Sequence, residues 1–135
     1  MSVFTPAEIA YLQSQPLGRL ATVGPDEQPH VVPMGFRVNT DLGTIDIGGL
    51  RVSQTKKWRD LARNPRIAFV VDDIASRDPW RVRMLEIRGQ AELLDAGGKE
   101  IMPRFEDALI RIHPRRIVAF GIEGEDAPFN ARSVS

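Results

Sequence analysis

Residues 17–38 read LGRLATVGPDEQPHVVPMGFRV, and this stretch decides the fold class. Leu17–Val23 reads as a strand, and it runs into Gly24-Pro25-Asp26, three residues suited to a tight turn. His30–Val38 follows as a second strand, rich in the β-branched and aromatic residues that pack on a pleated surface. Two strands alone leave both edges open, so the rest of the chain must extend and close the sheet.

The flanking sequence supplies those pieces. Upstream, Thr5-Pro6-Ala7-Glu8 carries the marks of a helix start: Thr5 as cap, Pro6 at the first helical position and Glu8 reaching back, with Pro16 ending the helix. Downstream, the residues from Asn39 to Gly43 turn the chain into a third short strand, Thr44–Ile47. Thr55–Arg63 reads as a helix with Trp58, Leu61 and Ala62 on one face, stopped by Asn64-Pro65. Arg66–Val71 is a short buried-type strand, the residues from Asp72 to Asp78 a polar loop, and Arg81–Leu94 a long strand pattern broken by Gly89. A short connection opens at Gly97-Gly98. Leu109–Ile122 then reads as one bent strand or as two divided by His113-Pro114. Six or seven strands with two or three small helices define a β-dominated α+β fold, read as a single domain over residues 1–135. Closure into a barrel removes the edges of such a sheet, although the pattern alone also permits a sandwich.

Composition narrows the chemistry. With 135 residues the chain buries roughly two-thirds of its unfolded surface. It has no cysteine, which excludes thiol catalysis, disulfide scaffolds and cysteine-bound metals. Eighteen basic residues balance eighteen acidic ones, which argues against a nucleic-acid partner bound by broad phosphate neutralisation. No apolar run approaches the ~20 residues that span a bilayer, and no signal-like segment opens the chain, so the expectation is a cytoplasmic protein without a membrane partner. No Gly-x-Ser-x-Gly motif, Walker loop or Ser/His/Asp grouping stands out, and His30 and His113 share no carboxylate motif. No catalytic residue is assigned. Hard chemistry would then come from a bound cofactor.

The segment Gly48–Arg63, GGLRVSQTKKWRDLAR, is the best seat for one. If Thr55 caps the helix, Lys56 and Lys57 occupy its first turn, where cations oppose the helix dipole at a cost of a few tenths to ~1 kcal/mol each. An anion at the helix start resolves the conflict: free amides, the Ser53 and Thr55 hydroxyls and two ammonium groups would address one phosphate. Gly48 and Gly49 would let a planar group approach the backbone. The plain alternative is a solvated basic turn. A second motif, Asp78-Pro79-Trp80-Arg81-Val82-Arg83, sets Trp80 beside arginines. It would suit an aromatic ligand with an anionic tail, or a Trp packed at a barrel mouth or subunit seam.

In order along the chain, LGRLATVGPDEQPHVVPMGF, TIDIGG, TKKWRDLARNPRIAFVVDD, DPWRVRMLEIRGQAELL and IRIHPRRIVAFGI resemble the pyridoxamine-5′-phosphate-oxidase-like split-barrel family, closest to its actinobacterial class that uses the deazaflavin F420. The resemblance runs from Leu17 to Arg132 and includes the leading helix. It implies a six-stranded split β-barrel and an obligate homodimer with cofactor sites at the subunit seam. Carried over by residue, Thr55, Lys56 and Lys57 would bind the cofactor phosphate, and Pro33, Met34 and Gly35 would line the ring. Gly48 and Gly49 would lie beside ring and ribityl chain, while Trp80 and Arg81 would reach the site from the partner subunit. The specialised pyridoxal-phosphate-binding tail of true pyridoxamine oxidases has no counterpart, so vitamin B6 oxidation is not expected. The expected activity is hydride exchange between F420 and an unsaturated small-molecule substrate, with Arg51, Arg81 and Arg83 as an exit groove for the acidic tail of the cofactor. An FMN-binding reductase or electron carrier is the alternative, as is a non-catalytic binding protein.

Overall fold

The strand expected over His30–Val38 is in fact two strands, and the break between them shapes the whole molecule. The computed structural model describes residues 3–124 and 128–134. In it Pro29–Met34 forms β2 and Arg37–Asn39 forms β3, with Gly35 and Phe36 between them. The sheet runs in the order β2-β1-β5-β6-β7-β4-β3, where β1 is Gly18–Val23, β4 Thr44–Ile47, β5 Arg66–Arg77, β6 Trp80–Leu94 and β7 Leu109–Phe120. β2 and β3 are therefore the two outermost strands of this path, although only two residues separate them in sequence. The sheet must curl until its edges meet at Gly35-Phe36, which makes a barrel split along that seam. An eighth strand, β8 (Asn130–Ser133), pairs with the outside run of β7. Among the described residues the fold is thus a β-dominated split barrel with eight strands, where the pattern predicts six or seven and the resemblance implies six.

One further reading is corrected, and one left open between two alternatives is decided. Asp72 to Asp78 is not a loop: β5 continues to Arg77 and pairs with β6, whose first residue is Trp80. Polar residues hold these positions because they find partners across the strands. Asp73 receives a bidentate pair from Arg83 at 2.6 and 3.0 Å, and Asp72 lies 3.4 Å from Arg19. Leu109–Phe120 is one strand, not two. The His113-Pro114 step, which lacks one backbone donor, is absorbed where the β6–β7 register shifts at Gly89. A Cβ on Gly89 would stand 2.1 Å from the His113 carbonyl oxygen, so only glycine permits this approach.

Three helices complete the fold. α1 (Pro6–Ser14) starts as expected, with Thr5 Oγ1 accepting from the Glu8 amide and Glu8 accepting from the Thr5 amide. Its Tyr11 and Leu12 enter the core together with Phe4. Glu8 also receives Arg132 of β8, which ties the first helix to the last strand. α2 (Lys56–Arg63) follows a 3-10 turn at Val52–Gln54, and α3 is the short Gly98–Ile101. The core is the barrel's inner face, including Leu20, Ile45, Phe69, Leu85, Ile87 and Ile112. Among the described residues no helix is long and apolar enough to cross a membrane.

A buried carboxylate anchors the seam, on the face of β4 opposite to that of Ile45 and Ile47. Asp46 on β4 is fully buried and receives Arg111 of β7 in two bonds of 3.0 Å, with Asn39 of β3 at 3.0 Å and Thr44 at 2.9 Å. Burial alone would raise its pKa, but the Arg111, Asn39 and Thr44 hydrogen bonds and the Arg111 charge together hold it below the usual carboxylate range. Asp46 thereby fixes β3, the short edge of the seam.

Replacing Asp46 by Ala strands the Arg111 guanidinium. It should cost about 3 kcal/mol in denaturant unfolding. The carboxyls of Asp46 and Asp73 titrate lower in the folded chain than in the unfolded one, where they protonate near pH ~4. Their contribution is therefore complete above pH ~4 and is lost as pH falls through their lower folded values. Acid unfolding followed by circular dichroism should steepen below pH 4, and less so in Asp73→Asn.

Candidate cofactor site

The helix start singled out in the sequence forms as expected. Thr55 is the N-cap of α2: its hydroxyl accepts from the Trp58 amide at 3.4 Å and donates to the Val52 carbonyl at 2.7 Å. The two lysines that follow point to different environments, because successive helical residues are 100° apart. Lys56 reaches the carboxylate of Asp60, one turn on, at 2.9 and 3.1 Å. Asp60 is only 2% exposed and also accepts from Thr22 of β1 at 3.0 Å. Burial would raise the Asp60 pKa, but the Lys56 and Thr22 hydrogen bonds and the nearby charges of Lys56 and His30 hold it low. Gly24 leaves the room this needs, since a Cβ there would lie 2.9 Å from the Lys56 ammonium. Lys56 is thus a strut, and its charge is already answered.

Lys57 is not. It is half-buried, and among the described residues no carboxylate pairs with it. Burial lowers its pKa because the ammonium has shed water without gaining an anion. A desolvated cation at a capped helix start is the feature an anionic ligand would complete.

The other expected donors are distributed unevenly. Ser53 is already occupied: its amide donates to Glu106 at 3.0 Å and its hydroxyl to the same carboxylate. Gly48 lies under the ring of Phe105, 2.9 Å from where its Cβ would stand, so the planar group that approaches this glycine belongs to the chain itself. The Gly49 carbonyl accepts from the Glu106 amide at 3.0 Å. Neither Phe105 nor Glu106 could be found from local pattern, because each lies more than fifty positions from the residue it covers; only the paired glycines hinted that something comes close.

On β2 the side chains alternate. Met34 turns inward with Val32 and His30 against the core, while Pro33 and Val31 face outward, Val31 being 68% exposed. Gly35 sits exposed at the seam. The imidazole Nδ1 of His30 is buried, with no hydrogen-bond partner among the described residues. Outside the barrel, Ala21, Val23, Pro29 and Ala68 floor a groove of about 380 Å³ rimmed by Arg66, Arg88 and Arg115.

Trp80 and Arg81 are not brought to this corner. Trp80, 64% exposed, begins β6 at the hairpin end opposite α2, across the length of a twelve-residue strand or roughly 35 Å. Arg83, expected in an exit groove, is spent on Asp73 and on the Tyr11 ring, 4.9 Å from its centroid. Tyr11 in turn donates to Asp73 at 2.9 Å, and burial with that bond raises its pKa. Among the described residues no group of acidic or histidine side chains could hold a metal ion.

Comparison with known proteins agrees with this architecture. The family model for pyridoxamine 5′-phosphate oxidase matches residues 4–123. A 5a,11a-dehydrotetracycline/5a,11a-dehydrooxytetracycline reductase of Streptomyces rimosus is 51% identical over 122 residues, covering 90% of this chain and 86% of the relative. Among solved structures, a conserved hypothetical protein of Mycobacterium tuberculosis superposes with a TM-score of 0.68 at 26% identity, covering 88% of this chain and 86% of that one. A putative pyridoxamine 5′-phosphate oxidase of Listeria innocua gives a TM-score of 0.63 at 24% identity, covering 82% and 93%. Sequence and fold thus converge, and the chain belongs to the pyridoxamine 5′-phosphate oxidase family of split-barrel proteins.

Proposed function

We propose that this protein is an F420-dependent reductase of an unsaturated polycyclic substrate of the dehydrotetracycline type. The observation that carries the cofactor half of this reading is Lys57, a half-buried ammonium at a capped helix start with no carboxylate among the described residues to answer it. The substrate half rests on the 51% identity to the Streptomyces reductase, which extends over nine-tenths of the chain.

The residues fit a phosphate-bearing ring cofactor in a specific division of labour. Lys57 supplies the charge and the first amides of α2 the hydrogen bonds, while Thr55 and the Lys56–Asp60 strut hold that helix start in place. The alanine and proline floor of the outer groove offers an apolar face to a flat ring, and its arginine rim offers charge to an acidic tail. A reduced deazaflavin would supply the hydride; orientation and exclusion of water fall to the protein. Two copies complete the site in this reading: the outward Val31 on edge strand β2 lends an apolar contact, and Trp80 and Arg81 approach from the partner subunit. The cytoplasm is the proposed location.

An FMN-dependent reductase would use the same seat, so titration with the two cofactors decides between them. Fluorescence titration of the purified protein should give tighter binding of F420 than of FMN. Reduced F420 should reduce a dehydrotetracycline where reduced FMN does not; turnover with reduced FMN and none with reduced F420 would reverse the assignment. Lys57→Ala should lose about 1.5–3 kcal/mol of cofactor affinity, tenfold or more, and unchanged affinity would remove the phosphate seat. Lys56→Ala should instead lower folding stability by about 1–2 kcal/mol, because it strips the partner from buried Asp60, with a smaller effect on affinity.

A further inference from the structure

The loop from Gly97 to Asp107 brings a second fixed charge to the cofactor corner. It folds on itself: the Gly97 and Lys99 amides donate to the Asp107 carboxylate at 3.1 and 3.3 Å, and the Lys99 ammonium donates to the Phe105 carbonyl at 3.0 Å. It docks on the stretch leading into α2 through Phe105 over Gly48, the Glu106 amide on the Gly49 carbonyl, and the Glu106 carboxylate on the amide and hydroxyl of Ser53. All of Glu106's partners are neutral. Among the described residues no cation pairs with this carboxylate.

Ser53 precedes Lys57 by four residues, and the 3-10 turn at Val52–Gln54 shortens their separation below the ~14 Å that four extended residues could span. That bound on the backbone separation exceeds the Debye length of about 8 Å at physiological salt, so the two charges act together on a ligand seated between them chiefly at low ionic strength. Lys56 adds little, because Asp60 answers it at 2.9 Å. Arg51 and Arg59 flank the corner, but both are exposed. Arg59 donates to the Gln54 carbonyl. Among the described residues the seat thus has one half-buried cation, and a fixed anion is bonded to the residue four positions before it.

We propose that Glu106 is a specificity residue that tunes this seat for a singly charged phosphodiester over a doubly charged phosphate monoester. The inference rests on the reading of Lys57 as a phosphate seat. The repulsion from Glu106 scales with ligand charge, so a terminal phosphate, with ≈ −1.5 to −2 at neutral pH, feels it about twice as strongly as a diester, which carries one charge. F420 presents a diester, its acidic tail extending beyond it, whereas FMN presents a terminal phosphate. Two bonds from Ser53 hold the carboxylate in place, so the selectivity is built into the fold.

The test compares F420 and FMN binding to the intact wild-type chain and to Glu106→Gln, which keeps an acceptor for Ser53 while removing the charge. At low salt the variant should bind FMN about fivefold tighter and F420 about twofold tighter, the size expected for one unit charge across roughly 10 Å of partly screened surface. In 0.5 M salt both gains should vanish, as a change in loop packing would not. Equal changes for the two ligands, a loss of both, or a gain that survives high salt would overturn the proposal. The phosphate seat itself would stand if Lys57→Ala still weakened both ligands. Failure of the wild-type protein to bind either one would overturn the seat and this inference together.

Discussion

The carboxylate of Asp60 is the pin on which the corner at the start of α2 turns. It is buried at one end of the barrel, held by Thr22 of β1 from below and by Lys56 from its own helix. A carboxylate in that position cannot be left unpaired, so the helix must enter at the angle that delivers Lys56 to it. Once that angle is set, helical geometry rotates Lys57 away from Asp60 and into a half-buried place without an anion. Two neighbouring lysines of the same type thereby acquire opposite characters, one structural and one available.

The same economy governs the arginines. The chain has fifteen, against three lysines. Several staple distant elements: Arg111 to Asp46 across β7 and β4, Arg83 to Asp73 across the β5–β6 hairpin, and Arg132 to Glu8 between the last strand and the first helix. A planar guanidinium can satisfy both oxygens of a carboxylate at once, which suits it to sites where the pair is partly or wholly withdrawn from water. The seam of the barrel depends on one of these. Short β3 is an edge of only three residues, and Asp46 gives it side-chain bonds that its ladder is too short to provide.

Much of this was legible beforehand. The capping box at Thr5 and Glu8, the strand Leu17–Val23, the cap at Thr55 and the stop at Asn64-Pro65 all follow from local chemistry, and all are present. The misread stretches share one cause. Asp72 and Asp73 look like loop residues until Arg19 and Arg83 stand opposite them, and His30–Val38 looks like one strand until the sheet is known to close through its middle. Glu106 and Phe105 carried no signal at all, because their meaning lies in Ser53 and Gly48.

By itself, then, the sequence determined the β-rich class, the two capped helices and the placement of a lysine pair where the helix dipole disfavours it. These are consequences of neighbours within a few residues, whose spacing is set by covalent geometry. Only the tertiary structure decided which lysine is answered, which glycine is covered and by what, and where the barrel splits. Those outcomes depend on charges and surfaces brought together from distant positions, and a buried charge takes its character from whatever partner the fold delivers to it.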